Sequence, residues 1–127
     1  TDYKVLVFHG RAHRIETILG RDRGSIDRLV FDRSWTLLPI GLPRRPGQRP
    51  RRPDPTQAPA RPGCLAEMLE AAETLAADLP FVRVDFFVWH DVPYFAEMSF
   101  SPVGGFQPLT RRDDLELGSF LDLPRAG

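Results

Sequence analysis

Between Phe81 and Ser101 the chain carries two runs of β-branched and aromatic residues, 81–89 and 94–100, on either side of His90-Asp91-Val92-Pro93. That pattern predicts a β-hairpin turning through residues 90–93. Side chains alternate across a strand, so Phe81, Arg83, Asp85, Phe87 and Trp89 share one face and Val82, Val84, Phe86 and Val88 take the other. On the returning strand the odd positions are Phe95, Glu97 and Ser99. A hairpin centred on Asp91 sets Asp85 opposite Glu97 and Arg83 opposite Ser99, which gathers four polar groups on one face of two otherwise apolar strands.

Upstream, Leu65, Met68, Leu69, Ala72, Leu75, Ala76 and Leu79 recur at helical spacing. They predict an amphipathic helix over 65–79, stopped by Pro80, with Glu67, Glu70, Glu73 and Asp78 turned outward. Its stripe is suited to cover the Val82, Val84, Phe86 and Val88 face. Residues 3–9 read as a strand, Gly10-Arg11 as a turn and 12–19 as the partner strand; a further strand follows at 28–32. Trp35, Leu37 and Leu38 are expected to pack onto the sheet as core material. Residues 20–27 are turn-rich, and Thr110-Arg111-Arg112-Asp113 offers a capping box for a short helix ending near Leu123. The fold class expected is α+β, an antiparallel sheet with packed helices.

Between these blocks, residues 43–63 are dense in proline and almost free of large apolar side chains. Proline removes amide donors and fixes φ, and little is left to bury, so a disordered or polyproline II loop is expected. Six arginines against Asp54 make it locally basic. An anionic partner or a PxxP-reading domain would be the functional reading, and a tolerated surface insertion the plain one. Nothing aromatic interleaves to stack bases, so nucleic acid is not expected.

Composition narrows the field. A chain of 127 residues with 42% hydrophobic content can form one small domain with a real core. Its 17 basic residues equal its 17 acidic ones, giving no whole-chain electrostatic case for nucleic acid or an anionic membrane. Cys64 stands alone, so no intrachain disulfide is available, and no apolar run is long enough to span a bilayer. A cytoplasmic location is expected. Sixteen arginines accompany the single Lys4, which lowers the functional weight of any one surface arginine. His9 and His13 have no third ligand at metal spacing.

The candidate chemistry lies in the polar quartet of the hairpin. Two carboxylates directly opposed on one sheet face repel, and half-buried charges must be paired, neutralised or bound to a cation. Oxygen ligands suit a hard ion such as Mg²⁺, and an arginine beside them would complement phosphate with its fork of donors. The hairpin therefore reads either as a metal–phosphate platform or as an ion network in which Arg83 neutralises Asp85 and Glu97. Spacing alone leaves both open. Lys4, taken by itself, reads as a solubilising charge at a strand end.

Arg83-Val84-Asp85-Phe86-Phe87, followed after a short turn by Phe95-Ala96-Glu97-Met98-Ser99-Phe100-Ser101-Pro102, resembles the closing hairpin of the ATP-grasp fold. It is similar to the ligases that join D-alanine to D-alanine, and closer still to the TupA-like ATP-grasp family associated with cell-envelope polysaccharide biosynthesis. The opening Asp2-Tyr3-Lys4-Val5, the segment Phe31 to Pro39, the helix containing Leu65-Ala66-Glu67-Met68 and the closing Asp114 to Gly118 share that resemblance.

The resemblance implies that residues 1–127 correspond to the C-terminal lobe of an ATP-grasp domain, interrupted by the 43–63 loop. It implies ATP and Mg²⁺ as cofactors and a carboxylate substrate activated as an acyl phosphate. Asp85 and Glu97 would be metal ligands, Arg83 the catalytic, phosphate-binding arginine, and Lys4 a further cofactor-binding residue. The family's usual third ligand is an Asn two residues after the Glu; here Ser99 holds that position. Ser101, Gly104 and Gly105 fall where D-alanine ligases hold the acceptor substrate. The upstream half that would carry the remaining nucleotide contacts is not in the sequence, so the chain alone is expected to bind ATP poorly. The alternative is a non-catalytic remnant whose basic loop binds an acidic partner.

Overall fold

A computed structural model describes residues 1–20, 27–42 and 47–100. The residue order builds β1 (Asp2–Phe8), β2 (Arg11–Leu19), β3 (Asp27–Phe31), α1 (Leu65–Ala76), β4 (Phe81–Trp89) and β5 (Val92–Ser99). The strands form one antiparallel five-stranded sheet in the order β3-β2-β1-β4-β5. β1 and β4 are adjacent in space but remote in sequence, and the 32–80 segment that includes the helix leads from β3 to β4.

Alternation divides the sheet cleanly. Val5, Val7, Ile15, Val82, Val84 and Phe86 point to one face, where Leu65, Met68, Leu69, Ala72 and Ala76 of α1 cover them in a single apolar core. The expected stripe is therefore largely correct. Leu75 is a correction: it is 43% exposed, because the helix presents only its 65/68/69/72/76 edge to the sheet. The helix is also shorter than 65–79. Ala77 leaves it with φ 48°, and Leu79 packs against the core from beyond its end.

Both hairpins turn at other residues than the sequence suggests, and the second turns more tightly. His9 and Gly10 have φ of 48° and 78°, and His90 and Asp91 have φ of 49° and 58°. Positive φ at both central residues marks the primed two-residue turn whose twist matches the strands. The first turn is thus His9-Gly10 rather than Gly10-Arg11. The second uses only His90-Asp91, and Val92 and Pro93 join β5. Pro93 is tolerated because β5 is an edge strand and needs no second set of amide donors.

The tighter turn alone would shift the hairpin register. A bulge at Ala96, between the Phe86–Phe95 and Asp85–Glu97 pairs, restores it, so Asp85 faces Glu97 and Arg83 faces Ser99 as expected. The tighter turn corrects the expected placement of Phe95, which lies on the turn side of the bulge and pairs with Phe86. Tyr94 instead lies opposite Phe87 and stacks on it, with ring centroids 5.2 Å apart.

Trp35 stacks on Phe31 at 3.9 Å and packs on the helix-side core, as expected of a large apolar group. Leu38 goes to the other face, with Val30, Ile40 and Leu42 in a second small cluster. Of the basic segment, residues 47–63 are described. They are irregular apart from a 3-10 turn at Pro55–Gln57, and Pro59 accepts a 3.1 Å hydrogen bond from the Trp35 indole. The 20–27 turn lies almost wholly outside the described residues, and the expected C-terminal helix and the Ser101, Gly104 and Gly105 loop lie entirely outside them.

Candidate metal and phosphate site

The sheet face opposite α1 carries the charge. Register places Glu16 on β2, Lys4 on β1, Asp85 on β4 and Glu97 on β5 in one row across four strands. Arg14, Leu6, Arg83 and Ser99 form the next row. Alternating residues of β1, β2 and β4 go to the apolar core, so the intervening ones must face this side, whatever their polarity.

Asp85 is the hub of the row. Its Oδ2 accepts a 2.8 Å bond from Lys4 Nζ and a 2.9 Å bond from Arg83 Nη2, and its Oδ1 accepts a 2.8 Å bond from Arg83 Nε. The residue is only 7% exposed. In such surroundings a lone carboxylate would be costly, and two cations with three charge-assisted bonds are what make it tolerable. Lys4 is accordingly not the solvated strand-end charge that its sequence position suggests: its side chain is 11% exposed, because the strand beside it holds Asp85.

Glu97 differs in kind. It faces Asp85 directly but is exposed, and it makes no hydrogen bond or ion pair with the described residues. Ser99 follows two positions on, half-buried and opposite Arg83. This unpartnered carboxylate, a paired one across the ladder and a hydroxyl beside them form an all-oxygen donor set that fits a hard cation entering at Glu97. Arg83 already spends Nε and Nη2 on Asp85, which leaves Nη1 as the part of its fork available to a phosphate oxygen. Among the described residues no group of three or more His, Cys, Asp or Glu side chains gathers. A cation here would complete its shell with water and phosphate oxygens, as Mg²⁺ commonly does.

Two buried residues of this face, Glu16 and Arg14, escaped the sequence reading. Glu16 lies opposite Lys4, and its carboxylate meets Arg28 Nη2 at 3.4 Å. Burial pushes the Glu16 carboxyl above its ordinary range, opposed by the charges of Arg28, Arg83 and Lys4 and reinforced by Asp85. Arg14, also buried, stands one pleat away. The signal was present in Ala12-His13-Arg14-Ile15-Glu16-Thr17-Ile18, where Arg14 and Glu16 alternate with Ile15 and Thr17. A bulge at His13 hid the phase, since Leu6 pairs with Arg14 and Val7 with Ala12.

The hairpin is also tied to the helix. Asp91 Oδ1 accepts a 3.0 Å bond from the amide of Cys64, the N-cap position of α1, whose own side chain makes no capping bond. A carboxylate from a remote turn thus sits at the positive end of α1, bonded to the amide of the N-cap residue itself. Cys64 is buried, and burial together with the Asp91 charge pushes its thiol pKa up. A groove of about 540 Å³ beside α1 mixes Arg33 and Arg61 with Glu70 and Glu73, and Arg33 bonds Glu73 there at 2.7 Å. No helix among the described residues is long and apolar enough to cross a membrane.

Comparison with known proteins found no match among curated proteins and none among solved structures. The model of one family, TupA-like ATPgrasp, matches residues 1–122. That span takes in the five strands, the helix and the row of charges alike, and the antiparallel sheet with one packed helix is consistent with an ATP-grasp lobe. The chain therefore belongs to the TupA-like ATP-grasp family and forms an ATP-grasp ligase-like domain.

Proposed function

We propose that this domain serves an ATP- and Mg²⁺-dependent carboxylate–amine ligase, acting in the cytoplasm in cell-envelope polysaccharide biosynthesis. The observation that carries the proposal is the asymmetry of the acid pair. Asp85 is held in place by Lys4 and Arg83, while Glu97, directly opposite, has no protein partner among the described residues. An ion network built for stability would be expected to pair both acids.

In this reading Glu97, Asp85 and Ser99 hold Mg²⁺, and Nη1 of Arg83 reaches a phosphate oxygen. The bound ion would offset the negative charge of the transferring phosphoryl group, the largest electrostatic need of such a reaction. Lys4 and the other nitrogens of Arg83 fix the Asp85 carboxylate so that little reorganisation is left for the reacting state. A substrate carboxylate oxygen attacks the γ-phosphorus of ATP as the bond to the bridging oxygen of ADP breaks, giving an acyl phosphate. An amine then attacks the acyl carbon, loses a proton and expels phosphate. The loop containing Ser101, Gly104 and Gly105 is proposed to border the acceptor.

The test uses a polypeptide in which this domain is joined to an upstream nucleotide-binding half. Glu97→Gln is expected to lower Mg²⁺-dependent ATP turnover by about a hundredfold or more, with the melting temperature unchanged. Ser99→Asn keeps an oxygen donor and is expected to retain turnover. Normal turnover in Glu97→Gln would refute the assignment.

A further inference from the structure

At the sheet edge opposite β5, the chain returning from the basic segment passes over β3 and encloses a cavity of about 280 Å³ lined by Arg28, Leu42, Arg51, Arg52, Asp54 and Gln57 among others. We propose that this cavity is a binding site for the phosphoryl group of a small anionic ligand, gripped by Arg28, Arg51 and Arg52. It lies across the sheet from the Asp85–Glu97 pair, and the proposal does not depend on the function assigned to that pair.

Arg28 supplies the decisive observation. Its Nη2 reaches Glu16 at 3.4 Å, but its buried Nε has no hydrogen-bond partner among the described residues. A charged donor shut away from water and left unpaired is costly, and such groups in native proteins commonly mark an absent water or ion. The cavity beside it is large enough for a phosphate with several waters, each about 30 Å³ of liquid. Among the described residues, three guanidinium groups line it against one carboxylate, Asp54, and Glu16 shares Arg28. Asp54 is already engaged, its Oδ1 accepting Thr56 N at 2.9 Å and Thr56 Oγ1 at 2.7 Å. Those bonds hold its carboxyl below the ordinary range, and its Oδ1 braces the 54–57 turn.

The position of the arginines is built into the fold. Gly41 lets the Arg51 backbone lie against it, where a β-carbon would overlap the Arg51 carbonyl. Beneath, Ile40 and Leu42 are anchored with Val30 in their own apolar cluster. Fork-shaped donors on a fixed backbone suit the several acceptor oxygens of a phosphoryl group better than a halide or a single carboxylate.

The experiment titrates the 127-residue protein with inorganic phosphate, with glycerol 2-phosphate and with sodium chloride at matched ionic strength. Binding is followed through the NMR signals of the arginine Nε–H groups and of the amides of residues 28, 51, 52 and 54. Saturable shifts with phosphate and none with chloride are expected. Equal affinity for phosphate and the monoester would identify free phosphate as sufficient, and tighter binding of the monoester would identify a phosphorylated molecule as the ligand. Arg28→Lys, which keeps the charge but removes Nε, and the double variant Arg51→Gln/Arg52→Gln should each weaken binding about tenfold. Arg61→Gln, altered outside the cavity, should leave it unchanged. Absence of saturable shifts, or equal weakening by Arg61→Gln, would overturn the proposal.

Discussion

Asp85 and Glu97 occupy opposed positions on neighbouring strands, but only one of them is woven into the protein. Replacing Asp85 with Asn would leave Lys4 and Arg83 facing each other in a space nearly closed to water, without the charge that reconciles them. Breaking a buried pair in this way costs about 3 kcal/mol, and urea unfolding of Asp85→Asn should show a loss of that order. Glu97→Gln removes a charge that nothing in the described protein uses, so its unfolding free energy should lie within about 0.5 kcal/mol of the parent. Comparing the two separates structure from function at this site, and it makes Glu97 the cleaner probe of chemistry.

Glu16 adds a pH dependence whose sign follows from its surroundings. Burial raises its folded-state pKa above the unfolded value, so the folded state retains the proton to higher pH. Its contribution to stability is fully present below the unfolded carboxyl pKa and is lost as pH rises through the raised folded value. Glu16→Gln cannot ionise and keeps an oxygen acceptor for Arg28. Melting temperatures measured from pH 4 upward should therefore fall less with rising pH in the variant, the two curves diverging by a few degrees at neutral pH. Parallel curves would mean that Lys4 and Arg28 fully compensate the buried charge.

Among the elements, the β4–β5 hairpin and α1 act as one unit. The helix covers the apolar face of β4, and Asp91 at the hairpin turn accepts the amide of Cys64 at the helix start. Asp91→Ala should cost about 1 kcal/mol, the scale of one hydrogen bond to a carboxylate at a helix N-terminus. Hydrogen exchange should quicken at Cys64 and in the first turn of α1 before it quickens at β1. Unchanged exchange there would show that the bond contributes nothing in solution.

The elements also show why some features were legible in the sequence and others were not. The period of two in Phe81–Trp89 and the helical spacing of Leu65–Ala76 reflect burial on one face, which composition records directly. The polar quartet was legible for the same reason. The tight turns at His9-Gly10 and His90-Asp91 and the bulges at His13 and Ala96 were not, because they depend on backbone conformation that side-chain type only loosely dictates. A missed turn residue and a missed bulge offset each other at Asp85 and Glu97, so the right pairing emerged. At Phe95, which precedes the bulge, only the tighter turn acts, and the expected face was wrong.

At the scale of the whole molecule, one sheet separates an apolar layer from a charged one. The helix-side core fixes the strands, and the strands set Glu16, Lys4, Asp85 and Glu97 in a row that no local segment could assemble. That row joins β1 to β4 across 81 positions of sequence at the Lys4–Asp85 bond. Lys4 illustrates the limit of reading segments singly: its role depends on which strand lies beside it, and this is a property of topology.

The central claim is that Glu97 and Asp85 together form the entry point for a hard divalent cation. Mn²⁺, which shares the oxygen preference of Mg²⁺ and relaxes nearby nuclei, tests this most directly in the 127-residue protein. Titration should broaden the amide signals of residues 85 and 97–99 before all others, excess Mg²⁺ should restore them, and Glu97→Gln should abolish the effect. Signals at these positions that stay sharp, or that broaden equally in Glu97→Gln, would contradict it.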